Sequence, residues 1–269
     1  MSGTSFDPAA EAAELRTRLV GMGDRPVKGE AKTHLRVATP NLRRLARSRR
    51  DVIGSADSAE AEDLAERLWS GESYDEMHMA VEVLHLRPDL VGRDLILRWA
   101  DDLDHWGITD SFATVVRSWV AAEPDRRYQV LDTLAADEDV WRRRLGIVST
   151  VLLSRRGREL DRTFALIDSV IDDRRQKIVN AVSWALREMV NAAPDRVATY
   201  VEDRADDIPA RVRLEVWNKL RTGRKDGKKR PRGTRGEAAR ARFEVARQAV
   251  AERRAAKDRK PPGRRRKQR

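Results

Sequence analysis

The feature that most narrows what this chain can fold into is a recurrence of helix starts. Asp104, Asp139, Asp173 and Asp207 lie 35, 34 and 34 residues apart, and each stands where a helix should begin. Each precedes a stretch whose apolar residues keep helical spacing: Phe112/Val115/Val116, Ile147/Val148/Val151, Val179/Val182/Leu186 and Val212/Val216/Leu220. Shorter helical patterns fall between them, over 128–135, 163–171 and 197–205. Helix pairs at a fixed period cannot bury their apolar faces alone and do so by stacking. The expected fold is all-α, a solenoid of helix pairs with a concave face.

Local punctuation agrees. Asp57 and Glu60 have the spacing of an N-cap and its N3 acid, and Ser73 with Glu76 forms a capping box ahead of Met77. Pro88, Pro124 and Pro194 each open a segment as proline at the first helical position does, and Thr39 reads as an N-cap before Pro40. About 12 helices of roughly 10–18 residues fit residues 1–221. Tetratricopeptide and ankyrin signature residues are absent, so irregular HEAT-like repeats describe the pattern best.

Charge divides the chain differently. The 269 residues carry a net +11, but residues 222–269 hold 20 of the Lys and Arg and five of the acids. That segment therefore carries +15, and residues 1–221 carry −4. It reads as a basic linker over 222–236, a surface helix over 237–258 and a disordered basic end over 259–269. Such an arm favours polyanions with an affinity that falls steeply with salt. Within the repeats, Arg142-Arg143-Arg144, Arg174-Arg175 and Lys177 sit at the starts of the inner helices, as a positively lined DNA-binding groove would require.

Several chemistries are excluded. With no cysteine there is no disulfide, thiolate zinc site or cysteine nucleophile. His34, His78, His85 and His105 are scattered and no His-Glu-x-x-His helix is present, so neither a catalytic metal nor a cofactor is expected. The Gly223–Lys229 stretch has the wrong spacing for a phosphate loop. The first residues lack a basic-then-apolar leader, and apolar runs are too short to span a bilayer, which needs about 20 residues. A monomeric cytoplasmic, nucleoid-associated protein is expected.

Four stretches carry a resemblance. Arg36–Leu45 (RVATPNLRRL) resembles the segment G-[IV]-x-[TV]-P-x-[LR]-R, and His105–Asp110 (HWGITD) resembles a W-[WD]-x-x-D helix start. Asp139–Ile147 (DVWRRRLGI) resembles W-x-x-R-x-A-I, and Ala181–Glu188 (AVSWALRE) resembles A-[IV]-G-W-x-L-R-E, the most distinctive of the four. In this order they are similar to the DNA alkylation repair (AlkD-type) HEAT-like DNA glycosylases, over about residues 32–220. The resemblance implies that Asp110 is the catalytic carboxylate and that Trp106 and Trp184 contact the damaged nucleotide. It makes Arg144 a phosphate clamp, with Thr39, Arg43 and Arg187 as further backbone contacts. Val27 stands where the family has tyrosine, and Ala38 and Ser183 are taken to replace its glycines.

One carboxylate is chemically sufficient for that reaction. Ordinary glycoside hydrolysis uses two because a neutral leaving group must be protonated. A purine alkylated at N3 or N7 is already cationic and leaves as a neutral base. What remains is to stabilise an oxocarbenium-like sugar and place a water, both within reach of one ionised aspartate. Aromatic faces add cation–π attraction to the same charge. The residues alone would equally make Asp110 a helix N-cap, Arg144 an ion-pair partner, and Trp106 and Trp184 packing residues like Trp69, Trp99, Trp119, Trp141 and Trp217. The expected partner is duplex DNA with alkylated bases. The alternatives are a non-catalytic HEAT-like reader of bent or branched DNA, and a HEAT-like protein–protein adaptor whose tail binds RNA or ribosomes.

Overall fold

The computed structural model describes residues 6–29, 31–228 and 233–258. The expected disordered end over 259–269 and the centre of the expected linker, 229–232, lie outside the described residues. The chain divides into two compact units, residues 1–149 and 150–269.

The first unit opens with α1 (Pro8–Met22), a two-stranded antiparallel hairpin of β1 (Val27–Lys28) and β2 (Thr33–His34), α2 (Thr39–Ser48) and α3 (Arg50–Ser55). It continues through α4 (Ser58–Trp69), α5 (Tyr74–Leu86), a 3₁₀ turn at Pro88–Leu90, α6 (Arg93–Ala100) and α7 (Trp106–Ala122). α8 (Pro124–Arg127), α9 (Gln129–Ala136) and α10 (Val140–Ser149) complete it. α5, α7 and α10 pack successively as one layer, with α4 against α5 and α9 against α10.

The second unit comprises α11 (Val151–Arg155), α12 (Leu160–Ser169), α13 (Gln176–Met189), α14 (Pro194–Asp203), α15 (Ala210–Thr222) and α16 (Thr234–Asp258). Here α11, α13 and α15 form one row, while α16 packs on α14 and α15. Among the described residues, fifteen α-helices begin within 1–221 against the expected twelve or so, the short α3, α8 and α11 making up the excess, and α16 stands where the separate surface helix was expected.

Helices α4, α5 and α10 start where their side-chain caps say. Capping boxes at Asp57/Glu60 and Ser73/Glu76 are both closed, and Asp139 Oδ1 accepts from the backbone N–H groups of Trp141 and Arg142. Thr39 is not a cap. Helix α2 begins at that residue, after Ala38, with no side-chain cap bond. The repeat period is also written in polar contacts between neighbouring helix pairs. Trp99 Nε1 donates to Glu66 at 2.9 Å and Trp69 Nε1 to Asp102 at 2.8 Å, each across 33 residues. These bonds let the Trp69 and Trp99 indoles stack at 4.2 Å in the core against Phe112 without an unpaired N–H. In the second unit, Tyr200 Oη donates to Asp168 across 32 residues.

Trp141 is buried with Trp69 and Trp99; Trp119 carries Arg127 over its ring at 4.7 Å, and Trp217 meets Phe243 edge-on. The packing role read for these five tryptophans fits their positions.

Candidate nucleic-acid interface and active site

Helix α7 presents the first pair of side chains. His105 caps it, its Nδ1 accepting from Gly107 N–H at 3.1 Å. The cap role open to Asp110 is thereby taken, and Asp110 sits one turn inside the helix. Trp106 is the first helical residue and is 60% exposed, an unusual state for the largest apolar side chain. The i, i+4 spacing puts it on the same helical face as Asp110.

Asp110 is held from the neighbouring helix. Arg144 of α10 donates Nε to Oδ1 at 3.0 Å and Nη2 to both carboxylate oxygens at 2.8 and 2.9 Å. The two residues are 34 apart, one repeat, so packing α10 on α7 brings them together. Arg144 is only 7% exposed. Burial pushes the Asp110 carboxyl above its ordinary value, and the Arg144 charge and hydrogen bonds oppose this without cancelling it. The side chain is thus a poorly solvated carboxylate with one strong cationic partner.

A cleft of about 540 Å³ adjoins the start of α7 and is lined by Trp106, Thr39 and Arg43 among others. Ser111, next to Asp110, also faces it. Thr39 is exposed at the start of α2, and Arg43 one turn later pairs with Glu82 at 3.3 Å. His34, Arg36 and Val37 also line the cleft, on a segment pinned because Asp75 accepts from Leu35 N–H at 2.7 Å and Val37 N–H at 2.9 Å. Arg36 adopts φ +64, whereas Ala38 has φ −61. The glycine of the resembled motif therefore corresponds to Arg36, where a left-handed backbone is needed, and not to Ala38.

An aromatic cluster at this cleft was invisible to spacing rules. His34 stacks on Tyr74 at 4.4 Å and meets His105 edge-on at 4.9 Å, and Tyr74 Oη donates to Asp104 at 2.8 Å. His78 beside them is pushed down to about 4, chiefly by burial, and is neutral at physiological pH. Among the described residues, no group of three or more His, Asp or Glu is placed to hold a metal ion.

Trp184 and Arg187 belong to α13 in the second unit, both half-buried. Arg187 donates Nε to Ser183 Oγ at 3.2 Å, and the buried Ser183 hydroxyl donates to Glu215 at 2.5 Å. Burial lowers the Arg187 guanidinium from its usual range, with Glu215 and Glu188 opposing.

Other arginines at helix starts are spent on the fold. Arg142 pairs with Asp101 and Asp137, Arg143 donates to Asp137 O, Arg174 to Asp207 O, and Arg175 pairs with Asp173. No helix among the described residues is long and apolar enough to cross a membrane.

Three solved structures share the fold. A "predicted DNA alkylation repair enzyme" from Enterococcus faecalis is 14% identical with a TM-score of 0.56, covering 74% of this chain and 91% of that one. AlkD2 from Streptococcus mutans is likewise 14% identical with a TM-score of 0.56, over 73% and 90% of the two chains. The smu.31 protein of Streptococcus mutans UA159 is 13% identical with a TM-score of 0.54, over 89% and 98%. At such identities the likeness concerns the fold, an all-α helical repeat. No curated protein matches the chain. The family model described as DNA alkylation repair enzyme matches residues 24–220, most of the chain and all four of the motif stretches. The chain belongs to the DNA alkylation repair enzyme family.

Proposed function

We propose that this protein is a DNA glycosylase that removes cationic N3- or N7-alkylated purines from duplex DNA. The observation that carries the reading is the Asp110 carboxylate, fixed by Arg144 one turn below an exposed Trp106. In the proposed reaction the bond between C1′ and the base nitrogen breaks, and its electron pair discharges the cationic base. Water then bonds to C1′ and gives up a proton to the carboxylate or to solvent, leaving an abasic site. Asp110 stabilises the developing sugar cation, an interaction that strengthens in a site with little bulk water. Trp106 and Trp184 offer faces to the damaged nucleotide. Arg144 keeps the carboxylate oriented and sets positive charge near the flanking phosphate, while Thr39, Arg43 and Arg187 bear on the backbone.

The direct test is to incubate the purified chain with methylated duplex DNA and measure free 7-methylguanine, free 3-methyladenine and abasic sites. Release of methylated bases with matching abasic sites is expected, without added metal or cofactor. Tight binding of the duplex with no base release would replace the enzyme by a non-catalytic DNA reader.

A further inference from the structure

The Glu215 carboxylate of α15 serves two cations. Its Oε1 accepts from Arg211 Nη1 at 2.9 Å, and its Oε2 takes the Ser183 hydroxyl and lies 3.5 Å from Arg187 Nε. Arg211 is fixed at its other end, where Nη2 donates to Asn180 Oδ1 at 2.7 Å, an oxygen that Gln176 also addresses at 2.8 Å. Packing of α13 against α15 thus holds two guanidiniums around one carboxylate. Glu188, the next acid on α13, does not restore neutrality, because Arg155 and Lys219 flank it at 3.4 and 3.7 Å. Four cations thus stand against two acids, an excess of two positive charges among these groups, and Arg211 further disfavours the charge on Arg187.

We propose that Arg187 and Arg211, positioned by Glu215 and Ser183, form a two-guanidinium seat for a single phosphodiester of a nucleic-acid backbone. The inference rests on DNA being the partner and adds Arg211 as a contact, with Glu215 and Ser183 as positioning residues. A planar guanidinium fork matches phosphate oxygens, and two forks held at one carboxylate are already oriented before the ligand arrives. Ser183 is central to this device. A glycine there, as in the resembled motif, has no hydroxyl to link the acid to Arg187.

The test is binding of a fluorescently labelled unmodified duplex by the full chain across a salt series. Arg211→Gln should weaken binding severalfold and lower the slope of log affinity against log salt by about 0.9, one phosphate contact. Arg126→Gln removes the same charge from an exposed position on α8 and should leave the slope unchanged. The Arg187→Gln/Arg211→Gln double variant should lose less than the two single losses combined, because one phosphate is shared. Glu215→Gln removes the charge that aligns both forks and should weaken duplex binding in the same direction as Arg211→Gln; binding as tight as wild type would deny Glu215 its positioning role. Salt-sensitive wild-type binding unaltered in Arg211→Gln, or fully additive losses, would overturn the seat alone. Failure of the wild type to bind duplex at any salt would overturn the DNA reading and the seat with it.

Discussion

Asp110 has been moved partly out of water and given a single strong partner in Arg144, and both facts bear on its chemistry. The carboxylate must be ionised to stabilise a cationic sugar. Burial raises its pKa above 3.8, so protonation begins at a higher pH than for an ordinary aspartate. The acid limb of the kcat/KM pH profile, which reports the unbound protein, should therefore lie above the usual aspartate range, and a limb at or below that range would contradict this. Arg144→Ala should reduce both duplex affinity and rate, since it removes the fork that orients Asp110 and the charge proposed to offset a flanking phosphate. His78 behaves in the opposite sense. Its pKa falls from 6.5 to about 4 on folding, so the stability it contributes is present above 6.5 and lost as pH falls toward 4. Melting temperature should decline across that window, and His78→Gln should flatten the decline. Trp106 and Asp110 were legible as an i, i+4 pair, and Arg144 lies one repeat farther on. The His34, Tyr74, His78 and His105 cluster was not, because its members come from β2, α5 and the start of α7 with no common spacing.

Helices carry the repeat, and their contacts explain what the sequence could and could not say. Boundaries marked by side-chain caps, such as Asp57, Ser73 and Asp139, were readable because one residue decides them. The docking of α16 was not. Its buried residues, Ala239, Ala246 and Val250, are small and few, so the stripe is faint. Arg253 and Arg254 reach Asp203 and Glu202 at 3.0 and 2.5 Å, so part of the basic segment is tied to α14 rather than free. Cutting the chain after residue 221 should consequently destabilise the second unit, seen as a lower melting temperature. Gly146 marks another close contact. A Cβ there would lie 2.8 Å from Leu131 O and 2.9 Å from Ala135 N, where α9 meets α10. Gly146→Ala should cost about 1–3 kcal/mol of stability, measurable by denaturant unfolding. It also displaces the helix that carries Arg144.

At the level of the whole molecule, charge and chemistry have separate seats. Residues 1–221 are mildly acidic overall, and the excess positive charge belongs to residues 222–269. Removing 259–269, which carries seven basic residues and no acids, should lower the salt dependence of duplex binding and leave the bond-breaking step intact. The all-α repeat was legible because a 34-residue period recurs through most of the chain, and the family assignment because four motifs keep their order. The decisive measurement is the single-turnover rate of 7-methylguanine release from a methylated duplex by wild type and Asp110→Asn, with binding measured on the same samples. Asp110→Asn should bind the duplex as the wild type does and release no base above background, as the catalytic role proposed for Asp110 requires. Base release by Asp110→Asn at the wild-type rate would contradict it.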